Sequence, residues 1–301
     1  MDYVAYDRAD HRVWVPAGNL GSVAVIDVPS NRVTPIGGFP TAEMERRGVK
    51  RTVGPSSATV GAGVVYVGNR ADASVCAIDA HSLQLQRCVH LDSAPDGLAY
   101  VAATKQVWAT VPRDRSIAVV DVAGDALTQV ATIRLDGQPE GFAVDDARGL
   151  FYTNLEDRDR TLTIGVASRQ VAKTWAAGCG EEGPRGLALD IDRNILMVAC
   201  TDRVTAVDAG RDGQRLSTVG VGDGLDNIDY VPTRHELYAA AARAATLTVA
   251  RLGQDGSLTA QAVVPTVAGA RNAVATDEGT AYLTDSAGGR VVVVAPVGAS
   301  R

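Results

Sequence analysis

The chain has 301 residues, 46% of them apolar and 21% charged, and a net charge of −6. That is enough apolar material for one large domain or two ordinary ones, while the acidic balance without any block of like charge excludes generic nucleic-acid binding, which needs a basic field. The longest apolar runs, such as RVVVVAPV at 290–297, are strand-sized and fall short of the roughly 18 residues of a membrane helix.

The first residues, MDYVAYD, already read as a strand and carry no signal-peptide pattern. RVWV and SVAVIDV follow as a second and a third strand. Next comes FPTAEMERRGVKRTVGP at 39–55, a basic insertion with Arg46, Arg47, Lys50 and Arg51. Thr41 followed by Glu43 and Glu45 predicts a short helix there, ended near Gly48. A loop of this length serves as a lid or partner-docking segment, or is a solvated excursion.

After the insertion one frame recurs. PSSATVG begins at 55, PDGLAYV at 95, PEGFAVD at 139, PRGLALD at 184, LDNIDYV at 225 and ARNAVAT at 270. Each start leads to a second run centred on a large residue: Trp14, Tyr66, Trp108, Tyr152, Met197, Tyr238 and Tyr282. A third run follows in each repeat, four times ended by an aspartate (Asp27, Asp79, Asp121, Asp208), and then a weaker fourth, such as ATIRL or STVGV. Short β-branched or aromatic runs between Gly, Asp, Asn and Pro are strand-and-turn chemistry. Four strands per unit of about 40–45 residues is the signature of a propeller blade. The expected fold is therefore all-β: a single seven-bladed β-propeller of four-stranded antiparallel blades over 1–301. The last blade, ending at VVVVAPVGASR, lacks an outer strand; it either has three strands or is completed by residues trimmed upstream, the second being preferred. The large-residue column is expected to fill the wedges between blades, and the four aspartates to cap turns.

VYVGN (65–69), FYTN (151–154) and AYLTD (281–285) resemble the Tyr-Val-Thr-Asn strand of the YVTN-repeat propellers. The resemblance covers all seven repeats, and its motifs are structural. It implies a periplasmic or secreted protein that binds partners or serves in electron transfer, with a cytoplasmic location as the alternative.

In a propeller the inner strands line a central channel, so the position just before each inner strand sits at its mouth. By this alignment the mouth carries Asp2, Ser56, Asp96, Glu140, Arg185, Asp226 and Arg271, with Asn227 and Asn272 beside them. Pro and Gly of the frame set the turn into the inner strand, while the charged residue between them faces the opening and is free to change sign. Second strands end on the same side, adding Asn19, Asn69, Arg70, Arg113, Asn154, Glu156 and Asp285, and the 178–186 loop brings Glu181 and Glu182. Convergent polar groups at one end of a closed scaffold form a candidate binding site; a rim that binds only water is the alternative.

Arg70, Arg113, Arg185 and Arg271, with Asp226 and Asn272, suit a polar or anionic ligand. Glu140, Asn154, Asn227 and Asp285 suit calcium or magnesium. They are similar, by ligand type and blade position, to the metal site of the gluconolactonase-type propellers. A metal held there would support ester or lactone opening, with Glu140 or Asp96 as ligand or base. The expected function is thus a monomeric binding module for a small polar ligand or a protein partner, with a metal-dependent hydrolase as the alternative. His11 and His235 fall in turns at the opposite face, His81 and His90 in outer segments, so a histidine base is not expected. Cys76 and Cys88 flank a hairpin in directly opposed positions, and Cys179 and Cys200 lie toward one face. Each pair is either a disulfide or two small buried residues.

Overall fold

The computed structural model describes residues 2–46 and 48–296, apart from the side chains of Arg46 and Val49. Among them no α-helix forms, and the strands follow the seven repeats. Six sheets have four antiparallel strands in chain order and the seventh has three, so the chain is a seven-bladed β-propeller. The inner strands are Ala5–Asp7, Pro55–Gly61, Leu98–Val101, Pro139–Asp145, Leu187–Asp190, Leu225–Val231 and Ala270–Ala275. We call the end of a blade at which its inner strand begins the leading face, and the other the trailing face. The chain divides into two compact units, Met1–Pro139 and Glu140–Arg301.

The first unit holds blades one to three. Tyr3 bridges in parallel to Ser57, its N–H donating to Ser56 O at 3.1 Å while Ala58 N–H donates to Tyr3 O at 3.0 Å. Trp14, Val23 and Val25 of blade one pack with Val65, Val67 and Ile78 of blade two. Tyr66 and Leu98 anchor the equivalent cluster between blades two and three, where Tyr66 stacks on Tyr100 with ring centroids 5.9 Å apart.

The insertion departs from the expected helix. Ala42–Arg46 and Val49–Val53 form an antiparallel hairpin, with Glu43 opposite Thr52 and Glu45 opposite Lys50. The β-branched half Val49, Thr52, Val53 favours strand, and Gly48 takes the turn at φ +75°, a conformation open to glycine. This ribbon is a two-stranded sheet of its own. Arg47 lies outside the described residues.

Blades four to seven make the second unit. Clusters between consecutive blades centre on Tyr152 and Leu196, Met197 and Leu237, and Tyr238 and Leu283. Every member of the large-residue column is at most 3% exposed, as its packing role requires. The frame glycines have a different reason from the turn assigned to them: neither Gly141 nor Gly186 has positive φ. A Cβ on Gly141 would stand 2.4 Å from Arg185 O and 2.5 Å from Gly186 Cα, and one on Gly186 only 2.8 Å from Asn227 Cα. Inner strands of successive blades pass too close for a side chain. Their spacing is held by backbone bonds such as Gly186 N–H to Asp226 O at 2.8 Å.

The third-strand aspartates cap their turns as expected: Asp27 accepts from Ser30 N–H, Asp79 from His81 and Ser82 N–H, Asp121 from Ala123 N–H, and Asp208 from Gly210 N–H. Both cysteine pairs are disulfides, Cys76–Cys88 across opposed strand positions and Cys179–Cys200 across blade five. Two such bonds fit an oxidising compartment. Blade seven has three strands among the described residues.

Two substitutions test this packing in urea unfolding. Trp108→Ala empties a fully buried site and is expected to cost about 3–5 kcal/mol. Gly186→Ala forces neighbouring backbones apart and is expected to cost about 1–3 kcal/mol. Stability equal to the parent's in either variant would contradict the inter-blade contacts.

Candidate functional site on the leading faces

The charges of the frame meet in pairs. In the first unit Arg70, just past the second strand Val64–Asn69, reaches Asp2 at 2.8 Å and also pairs with Asp96. One guanidinium thus ties the leading ends of blades one and three to blade two. In the second unit Arg185 Nη1 donates to Glu156 at 2.6 Å, and Arg271 Nη1 to Asp226 at 2.6 Å. Asp2, Asp96, Arg185, Asp226 and Arg271 are thus each matched by an opposite charge on a neighbouring blade. These residues are at most 38% exposed at the side chain, so the pairs are partly desolvated and stronger than fully exposed ones.

The remaining candidates separate by burial. Arg113 lies in the 3-10 turn Pro112–Asp114 and is exposed. Asn154 is fully buried; its amide donates to Arg185 O at 2.6 Å and its carbonyl accepts from Thr161 Oγ1 at 2.7 Å. Asn69 is likewise buried, donating to Pro40 O at 3.1 Å and accepting from Ala71 N–H. The Asn that ends these second strands therefore holds loop backbone. Asp285 accepts from Gly288 N–H and Arg290 Nε. Those bonds, the Gly288 one largest, hold its carboxyl below the usual range. Asn227 accepts from its own neighbour Ile228 N–H at 3.2 Å. Glu140 is half-buried. Among the described residues no three His, Cys, Asp or Glu side chains group as a metal site.

Asn272 differs. It is 3% exposed, has φ +55°, and its Oδ1 accepts no hydrogen bond among the described residues. It follows Arg271 at a bulge in the first strand of blade seven. A buried carbonyl without a donor fits an ordered water or a ligand's N–H or O–H. The 178–186 loop is firmly held: Asp159 accepts from Cys179 and Gly180 N–H at 2.8 and 2.9 Å, and the Cys179–Cys200 bond closes it.

A second constellation, on the trailing face, was not singled out in the sequence. Asp190 accepts from Arg193 N–H and Nε and from Tyr230 OH at 2.6 Å. Arg193 also donates to His235 Nδ1 at 2.7 Å and to Gly253 O at 2.9 Å. Burial pushes Tyr230 up and its bond to Asp190 adds to this. Burial also opposes ionisation of Asp190, but the bonds from Tyr230 and Arg193 outweigh it and hold the carboxyl low. Asp145 and Arg148 repeat the arrangement in blade four, with Arg148 donating to Ile191 O at 2.9 Å in blade five. The signal was Asp-x-x-Arg starting on the last residue of an inner strand, in DDAR and DIDR.

Two measurements probe these charges. Arg70→Ala leaves Asp2 and Asp96 facing one another and is expected to cost about 1–3 kcal/mol in urea unfolding, with part of that recovered on adding Asp96→Asn. Asp27, Asp79, Asp190 and Asp285 all have folded values below the ordinary 3.8, so their stabilisation is present above that value and lost as pH falls through the folded one. The melting temperature should stay level from about pH 7 to 5 and drop below about pH 4, less steeply in Asp190→Asn.

No protein-family description matches this sequence, and no curated protein matches it. Solved structures match across almost the whole chain. Hydrazine synthase of Kuenenia stuttgartiensis aligns at 15% identity and TM-score 0.80, over 98% of this chain and 95% of that one. The β-propeller domain of Myceliophteria thermophila Cps50 (Swd1) aligns at 10% and 0.74, over 98% and 96%. A chain of the mitotic checkpoint complex aligns at 14% and 0.77, over 95% and 84%. At these identities the likeness is one of fold.

Proposed function

We propose that this propeller, of the YVTN-repeat type, is a binding module working outside the reducing cytoplasm, and that it docks a protein partner on the leading face of blades one to three. The observation that carries the reading is the ribbon 42–53. It belongs to no blade, and a lone two-stranded ribbon is marginal in water. It exposes Glu43, Glu45, Lys50 and Arg51. Its base is fixed beside the charged knot, with Asn69 Nδ2 donating to Pro40 O and Arg70 N–H to Gly54 O at 3.0 Å. An adaptable charged arm on a rigid base suits a partner of mixed charge.

A second reading, a small polar ligand, is favoured by the orphaned carbonyl of Asn272. It predicts a thermal shift by a hydroxyl- or amine-bearing compound that Asn272→Leu abolishes.

The partner reading is tested with a photo-crosslinking residue at Glu45 in the producing cells. One discrete crosslinked protein is expected, absent with the crosslinker at Arg211 and reduced about tenfold in Lys50→Glu or at raised salt. No adduct, together with ester or lactone turnover that is lost on chelation and in Glu140→Ala, would replace docking by the metal-dependent hydrolase reading.

A further inference from the structure

We propose that the Cys76–Cys88 disulfide of blade two is a thiol-exchange site, at which a thiol attacks Cys88 Sγ, Cys76 leaves and His90 serves as the base. This rests on the bond and its neighbours alone and is independent of the ribbon and its partner.

The register builds the site. Cys76 stands opposite Cys88, and Ser74 opposite His90. Paired residues of an antiparallel ladder share a face, as do residues two apart on one strand. Ser74, Cys76, Cys88 and His90 therefore form one block on a single face of the sheet. The two halves of the block differ in access. Leu85–His90 is the outermost strand of its sheet, and Cys88 and His90 are exposed. Cys76 is 2% exposed and packs in the cluster of Trp14, Val25 and Ile78, and Ser74 is fully buried. A nucleophile from solvent meets Cys88, and the sulfur it displaces is that of Cys76.

Two side chains complete the arrangement. His90 Nδ1 lies 3.1 Å from Asp72 O. A carbonyl only accepts, so Nδ1 carries the proton and Nε2 is left as an acceptor. Residues two apart on a strand stand about 7 Å apart, so an imidazole on the same face as Cys88 meets a thiol approaching that sulfur. On the buried side Ser74 Oγ lies 3.8 Å from Cys76 Sγ and donates to Asp72 Oδ1 at 2.7 Å. An imidazole thus serves the incoming sulfur and a hydroxyl the leaving one.

The incoming thiol gives its proton to His90 Nε2, and its sulfur bonds to Cys88 Sγ. The electron pair of the old S–S bond passes to Cys76 Sγ, which takes up one proton as His90 returns one to water. The products are a mixed disulfide at Cys88 and a thiol at Cys76. The blade stays closed, because Arg87, Val89 and His90 keep their ladder partners on either side of the cysteine pair and Leu91 N–H donates to Ala73 O at 2.7 Å. Exchange of this kind is reversible, so the site takes up and releases a thiol with the surrounding thiol–disulfide balance. The other disulfide gives the contrast: Cys200 is 1% exposed, and Asp159 clamps the loop of Cys179 through two N–H groups.

The oxidised protein is incubated at constant neutral pH with reduced glutathione, or with a Cys-x-x-Ser variant of a dithiol oxidoreductase as the protein thiol, then alkylated and mapped by mass spectrometry at early times. The adduct is expected on Cys88 with Cys76 alkylated, at least about tenfold faster than any adduct at Cys179 or Cys200. The probe that reacts faster identifies the source of the thiol. His90→Gln is expected to slow the reaction about tenfold or more at an unchanged melting temperature, which a purely structural histidine would not do. The proposal is overturned by an adduct on Cys76, by equal rates at the two disulfides, by reaction only in urea-unfolded protein, or by a parental rate in His90→Gln.

Discussion

The distance between inner strands of successive blades governs this molecule. Where Gly141 passes Arg185 and Gly186, and Gly186 passes Asn227, backbone meets backbone with no room for a Cβ. Strands that nearly touch at their inner ends must diverge outward, because sheets twist. The widening gap has to be filled, and Trp14, Tyr66, Trp108, Tyr152, Met197, Tyr238 and Tyr282 fill it. Small residues inside and large ones on the second strand are two sides of the same wedge.

The charges obey that geometry. Leading ends brought this close cannot all carry one sign, since like charges at short range in a partly dry setting repel. Arg70 between Asp2 and Asp96, Arg185 with Glu156, and Arg271 with Asp226 are the solution. On the trailing face the same problem is met by arginines that start on an aspartate of their own blade and end on a carbonyl of the next, as Arg148 and Arg193 do. Pairing of this kind fixes the blades relative to their neighbours within each unit.

The fold was legible in the sequence because strand period, turn residues and repeat length all pointed one way. Each of the seven starts found by alignment falls at or just ahead of an inner strand, and the Trp14 column was read correctly from size alone. What the sequence did not disclose was pairing. Glu140, Asp96 and Arg185 look alike on paper as ligands; only coordinates reveal that Arg185 is held by Glu156 and that Asn154 serves the loop backbone. The 42–53 ribbon was misread because Thr41, Glu43 and Glu45 imitate a helix start, whereas the β-branched residues after Gly48 decided the outcome through cross-strand partners, which a local window does not see. Asp-x-x-Arg occurs five times in the sequence, and nothing in the pattern alone set DDAR and DIDR, at the ends of inner strands, apart from the other three.

The two disulfides join residues 12 and 21 positions apart, each within a single blade. Neither crosslink has to wait for a distant part of the polypeptide. A chain folding in order from its first residues can seal blade two and then blade five, with little opportunity for mispaired thiols, and the early sealed blade offers a finished surface on which the next can assemble.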